Sequence, residues 1–259
     1  MLILLCGPYK TGKTISAATF PKPMLWEDWD NGFTSVLNVR RPDGKLLIQD
    51  HEDITVVPFV KQGATDLLFK TQRKGTVSAQ PYTHGSLDLL NKHNSIISSL
   101  ASKKTYQDKA YKTLVIDSLT MTFRTWKEMI MFMNNQQALE IQDYGTLENV
   151  LVGQFFPGLK HLLATGALEH IILIDHTELE KDELTGAITE YPVGPSRNMG
   201  RNIGLQVDEI FYQAYEGNAY LWHTKPTGFF KAGSRLDLPD PVKPGTWQRL
   251  EEILKERQK

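Results

Sequence analysis

Gly7-Pro8-Tyr9-Lys10-Thr11-Gly12-Lys13-Thr14 is the stretch on which the reading of this chain turns. It matches G-x-x-x-x-G-K-[ST] at every fixed position. A glycine at 12 lets the backbone approach an anion without a Cβ in the way, and successive N–H groups at the start of a helix face that anion. Lys13 is then suited to the β and γ phosphates of a nucleotide, and the Thr14 hydroxyl to Mg²⁺. Residues 7–14, extended by Ile15, are therefore the expected contacts for ATP or a related nucleoside triphosphate.

Outward from this loop the pattern is regular. Residues 1–6, Met-Leu-Ile-Leu-Leu-Cys, form an uninterrupted apolar run that suits a strand buried on both faces of a parallel sheet. A short helix over 14–19 should end before Phe20-Pro21-Lys22-Pro23, since proline cannot continue it. A second strand over 24–26 runs into the acidic turn Glu27-Asp28-Trp29-Asp30-Asn31-Gly32. Residues 39–82 lack a clear period and read as an irregular insertion. A helix over 86–100 precedes the strand Thr113-Leu114-Val115-Ile116-Asp117. Helices over 122–133 and 147–163 lead to the strand Ile171-Ile172-Leu173-Ile174, which ends in Asp175-His176. Three β segments follow at 207–215, 219–224 and 228–232, and an amphipathic helix at about 246–257 closes the chain. The expectation is α/β: a mostly parallel, doubly wound sheet with helices on both faces and antiparallel strands added near the C-terminus, in a single domain over 1–259.

Composition narrows the function classes. Lys plus Arg total 29 against 30 Asp plus Glu, a net charge of -1, so no global positive field is available for nucleic acid or an anionic membrane. Basic clusters are local, at Arg40, Arg41 and Lys45 and at Lys70, Arg73 and Lys74; each reads either as a track for a phosphate backbone or as a solvated loop. The single cysteine, Cys6, rules out a disulfide framework and a cysteine zinc site, and its apolar surroundings read as a buried strand position. No run is apolar for long enough to span a bilayer, and the start has no charged leader, so a cytoplasmic protein is expected.

Phosphoryl transfer to water needs a group that holds Mg²⁺ and one that orients the attacking water. Asp117, closing an apolar strand, is the candidate for the first role, with capping of the following helix as the alternative. Glu27, Asp28 and Asp30 all stand where one of them could face the γ phosphate. His176 reads equally as a γ-phosphate sensor or an ordinary strand-end residue.

With these elements in order, the chain resembles the RecA-like ATPases of bacteriophages, particularly the group linked to single-strand DNA annealing and recombination. The resemblance rests on residues 7–14 with Phe20-Pro21-Lys22-Pro23, the turn Asp28-Trp29-Asp30-Asn31-Gly32, and the strand 114–117 with Ser118. It continues through the strand 171–176, Asp182-Glu183-Leu184-Thr185-Gly186, Thr224-Lys225-Pro226 and Ser234-Arg235. It implies that Asp117 assists Mg²⁺, that Asp30 stands at the catalytic glutamate position and His176 at the polar sensor, and that Arg235 reaches a neighbour's γ phosphate in a homo-oligomeric ring or filament. It also implies a single-stranded DNA partner. Asp30 is one methylene shorter than the glutamate expected, and Gly233 stands where a lysine is common; both argue against vigorous hydrolysis. The resemblance makes residues 179–195 a loop, placed where RecA-like proteins carry a DNA-contacting loop, and its acidity, with Glu180, Asp182, Glu183 and Glu190, argues against a phosphate contact there. Two other readings stay open: a nucleotide-gated binding module with little turnover, and a nucleotide or small-molecule kinase.

Overall fold

The computed structural model describes residues 1–40, 46, 48, 53–60, 85–136 and 138–257. Arg41, Lys45, Lys70, Arg73 and Lys74 of the two basic clusters lie outside these residues. In chain order the elements are β1 (Leu2–Gly7), α1 (Lys13–Ala17), β2 (Met24–Asp28), α2 (Thr34–Asn38), β3 (Ile54–Pro58), α3 (Gly85–Lys103), β4 (Thr113–Asp117) and α4 (Leu119–Met133). There follow α5 (Ile141–Val150), α6 (Phe156–Ala164), β5 (His170–Lys181), β6 (Ile188–Pro192), α7 (Arg197–Asn202), β7 (Glu209–Glu216), β8 (Ala219–His223) and α8 (Trp247–Glu256).

The apolar run of β1 becomes a central strand because its alternate side chains feed two cores. Leu2 and Leu4 join Leu114, Ile116, Ile171 and Leu173 beneath α3 to α6. Ile3 and Leu5 join Val115, Ile172, Ile174 and Trp222 beneath α1 and α8. A strand covered on both faces has no polar side to alternate with, which is why its sequence is uniformly apolar. The strand order is β3-β2-β4-β5-β1-β7-β8, with β6 paired to β5 off this path. The pairs from β3 through β7 are parallel. β8 is antiparallel to β7, and β6 is antiparallel to the distal half of β5. Cα pairing puts Gly7 opposite His176, and Asp28 opposite Asp117, so these residues line one edge of the sheet, at the strands' C-terminal ends. No helix among the described residues is long and apolar enough to cross a membrane.

Four expectations need correction. The span 39–82 contains a regular element, β3, which the sheet captures by pairing it along β2 although its own sequence has little period. The expected helix over 147–163 starts earlier, as α5, and passes through a π-helical turn at Leu151–Phe155 before α6. Pro157 has no N–H to donate four residues back to Gly153, and the wider turn accommodates that loss. Residues 179–195, read as a loop, include the β5–β6 hairpin. Residues 228–232 make no strand: Thr227 Oγ1 accepts from the N–H groups of Phe229 and Phe230, and the turn delivers the Phe230 ring onto Tyr212 at 4.0 Å.

A buried hydrogen bond ties the end of β2 to α3. His93 Nδ1 lies 2.8 Å from Glu27 Oε2, with side-chain exposures of 3% and 0%. Trp29 Nε1 donates to the same oxygen at 3.2 Å, and Phe155 stacks on the His93 ring at 5.5 Å. Removing one partner strands the other's polarity in the core. His93→Ala is expected to cost about 3–5 kcal/mol in urea unfolding, while Glu27→Leu combined with His93→Leu recovers most of that loss.

Candidate functional site

The phosphate loop spans the turn between β1 and α1, and its two glycines are required by their surroundings. Gly12 has φ of 85°, and a Cβ there would lie 2.4 Å from the Tyr220 ring; at Gly7 it would lie 2.5 Å from the Gln213 carbonyl oxygen. The adjoining strands β7 and β8 thus press against the loop. Thr11 Oγ1 donates to the Pro8 carbonyl at 2.9 Å and closes the turn. Lys13 Nζ donates to the carbonyls of Gly7 at 2.8 Å and Pro8 at 2.7 Å, which fixes its ammonium within the loop. Pro8 is half-buried, Tyr9 and Lys10 are exposed, and Ile15 is buried on α1.

Asp117 reaches the loop from β4. Thr14 Oγ1 donates to Asp117 Oδ2 at 3.1 Å. The cap of α4 belongs to Ser118, whose hydroxyl accepts from Met121 N, so the cap reading of Asp117 does not hold. Burial, reinforced by the nearby charge of Asp30, pushes the Asp117 carboxyl up to about 8; the bond from Thr14 and the charge of Lys13 act against this. A hydroxyl beside a buried carboxyl offers the hard oxygen donors that Mg²⁺ takes, with phosphate and water oxygens completing its shell. Among the described residues no group of three or more His, Cys, Asp or Glu side chains forms a metal cage, so a cation here would depend on those phosphate oxygens.

The acidic turn divides its three carboxylates by role. Glu27 is committed to His93 in the core. Asp28 accepts from Gly32 N at 2.9 Å and Phe33 N at 3.4 Å and holds the turn's shape. Asp30 is left facing the site. A Cβ on Gly32 would stand 3.0 Å from Asp30 Oδ1 and 3.8 Å from Asp117 Oδ2, so the two carboxylates flank this glycine. His176 Nε2 lies 3.8 Å from Asp30 Oδ2, and the neighbouring histidine holds the Asp30 carboxyl below its usual range. Tyr9 packs on the His176 ring with centroids 4.5 Å apart.

Lys13, Thr14, Asp30, Asp117 and His176 are therefore brought to one edge of the sheet, and Arg235 is not. Its guanidinium lies 3.5 Å from Asp208, whose carboxylate accepts from the N–H of Leu2. Leu2 and Gly7 are opposite ends of β1, about 16 Å apart at strand rise.

Sequence reasoning gave Asp175 no role, although Ile-Leu-Ile-Asp at 172–175 repeats the Leu-Val-Ile-Asp pattern of 114–117. Asp175 is fully buried beside Cys6 of β1. Its Oδ1 accepts from Thr120 Oγ1 and, at 3.0 Å, from His176 N, while Oδ2 has no hydrogen-bond partner. Burial pushes this carboxyl up to about 8 as well, opposed by those hydrogen bonds and by Lys13.

This sheet and this loop define an α/β P-loop NTPase fold of RecA-like architecture. The chain belongs to the family described as AAA domain, AAA_24, whose model matches residues 1–236. Its fold is also similar to the crystal structure of the RadB recombinase, at 14% identity and a TM-score of 0.42, covering 88% of this chain and 84% of that one. No curated protein matches.

The buried carboxyl of Asp175 predicts a pH dependence of stability. Its folded pKa lies above the unfolded value, so the native state binds the extra proton and stability falls as pH rises from about 4 through about 8. Asp175→Asn keeps the shape and the acceptor oxygen without the ionisation. The variant is expected to unfold at higher urea than wild type at pH 8.5, by about 1–3 kcal/mol, and the difference should shrink towards pH 4.

Proposed function

We propose that the protein is a Mg²⁺-dependent ATPase that binds single-stranded DNA in phage recombination or replication, working in the host-cell cytoplasm as a homo-oligomeric ring or filament. The observation that carries the ATPase reading is the bond between Thr14 and Asp117 at 3.1 Å, beside the loop-held Lys13 ammonium. Residues 7–15 bind the triphosphate through backbone N–H groups, and Lys13 neutralises charge at its β and γ phosphates. Mg²⁺, held by Thr14 and Asp117, would neutralise the charge that develops on the phosphate oxygens. Asp30, kept ionised by its histidine neighbour, orients the attacking water and accepts its proton. His176 hydrogen-bonds to the γ phosphate and reports its presence to Asp30 and Tyr9.

Arg235 supports the oligomer. Its side chain is 72% exposed at the sheet edge away from its own protomer's loop, so its part in catalysis is to serve a neighbouring copy. The second reading, a nucleotide-gated module with little turnover, is favoured by the short side chain of Asp30 and by Gly233. A kinase would need a phosphoryl acceptor, and its product would carry the γ phosphate instead of releasing it.

Steady-state hydrolysis tests the ATPase. Lys13→Ala is expected to lower kcat/KM by at least about 100-fold, and Asp30→Asn to lower kcat by about 100- to 10,000-fold with nucleotide affinity little changed. Asp30→Glu, which restores the missing methylene, should raise kcat. Single-stranded DNA should accelerate turnover, with an effect that declines as salt is raised. Tight ATP binding with neither turnover nor a DNA response would leave the binding-module reading.

A further inference from the structure

A cavity of about 490 Å³ shares a wall with the phosphate site: Tyr9, Asp30 and His176 line both. Part of its lining comes from α4, where Thr120, Arg124 and Lys127 recur at the i, i+4, i+7 spacing that aligns side chains along a helix. Asp30 is the one carboxylate among the described residues lining the cavity, and His176 stands against it at 3.8 Å. Arg124 is exposed and its Nε lies 3.6 Å from Glu128, a separation at which the ion pair is weak, while Glu128 itself also accepts from Ser86 at 2.8 Å. Lys127 is half-buried in the wall. Tyr9, an aromatic residue inside a phosphate loop, exposes 71% of its surface while its ring rests on His176. Its phosphate-loop role uses only backbone, so the ring needs another explanation.

We propose that this cavity is a subsite for single-stranded DNA, in which Arg124 and Lys127 hold successive backbone phosphates and an unpaired base stacks on Tyr9. The inference rests on the single-strand reading above and gives that partner a location. Two cations along a helix face and an exposed aromatic at the rim are the two components of sequence-tolerant single-strand binding. A base on Tyr9 bears on His176 through the ring contact, and His176 bears on Asp30, so an occupied cavity biases the carboxylate that orients water. Tyr9 is a positioning residue in this scheme. Its effect appears in DNA-stimulated turnover.

The test is fluorescence anisotropy of a labelled oligothymidylate of about 16 nucleotides, titrated with the full chain and Mg²⁺·ATPγS over a series of salt concentrations. Arg124→Ala combined with Lys127→Ala is expected to weaken binding about 10- to 100-fold and to flatten the slope of log K against log salt by about 1.4, two phosphate contacts at roughly 0.7 each. Affinity of that double variant for a fluorescent ATP analogue should be unchanged. Tyr9→Ala should weaken the oligonucleotide about 10-fold and abolish its stimulation of turnover, and Tyr9→Phe should restore both. Equal affinity and equal salt slope in the wild type and the double variant would overturn the subsite while the DNA reading stands. Failure of the wild type to bind the oligonucleotide would overturn both. Transfer of the γ phosphate to thymidine monophosphate, with no oligonucleotide bound, would make the cavity an acceptor pocket instead.

Discussion

The hydrogen bond from Thr14 to Asp117 crosses a strand. β5 lies between β1 and β4, so α1 must hold its first turn over the middle of β5 for the threonine to reach the carboxylate. That reach depends on β1 and β4 stopping at nearly the same level along β5, and the pairing of Gly7 with His176 and of Asp117 with Ile174 supplies the alignment. A slip of one residue in any of these pairs would send a site residue to the opposite face of the sheet.

The electrostatics follow from the same alignment. Bringing β1, β2 and β4 to the same edge places Asp30, Asp117 and Asp175 within electrostatic reach of the buried Lys13 ammonium. Water would ordinarily screen such a group, but Asp117 and Asp175 are 2% and 0% exposed. Burial therefore opposes their ionisation, while Asp30, more exposed and beside His176, stays charged. Three carboxylates of the same chemistry are thus driven to different protonation states by depth and neighbours alone.

Tyr9 and His176 extend the site beyond the nucleotide. The ring contact joins a residue of the loop to a residue of β5, and both face the cavity beside α4. Whatever fills that cavity therefore touches the same two rings that border the Asp30 carboxylate. Arg235 stands at the other edge of the sheet, paired with Asp208.

Local sequence determined the parts whose chemistry is local. The glycine spacing of 7–14 fixes the phosphate loop, the apolar runs at 1–6, 113–117 and 171–174 mark strands buried on both faces, and Asp117 and His176 are legible because each closes such a run. Asp175 closes one too, so its signal was present in the same pattern. Tertiary structure alone decided which acid of the turn faces the site, because Glu27 is drawn into the core by His93, a partner 66 residues away. It also decided that β3 is a strand, that Phe230 fills a gap against Tyr212, and that Arg235 lies far from its own loop. Those outcomes depend on pairing between distant segments, and a one-dimensional pattern records each segment's own preference but not the partner that overrides it.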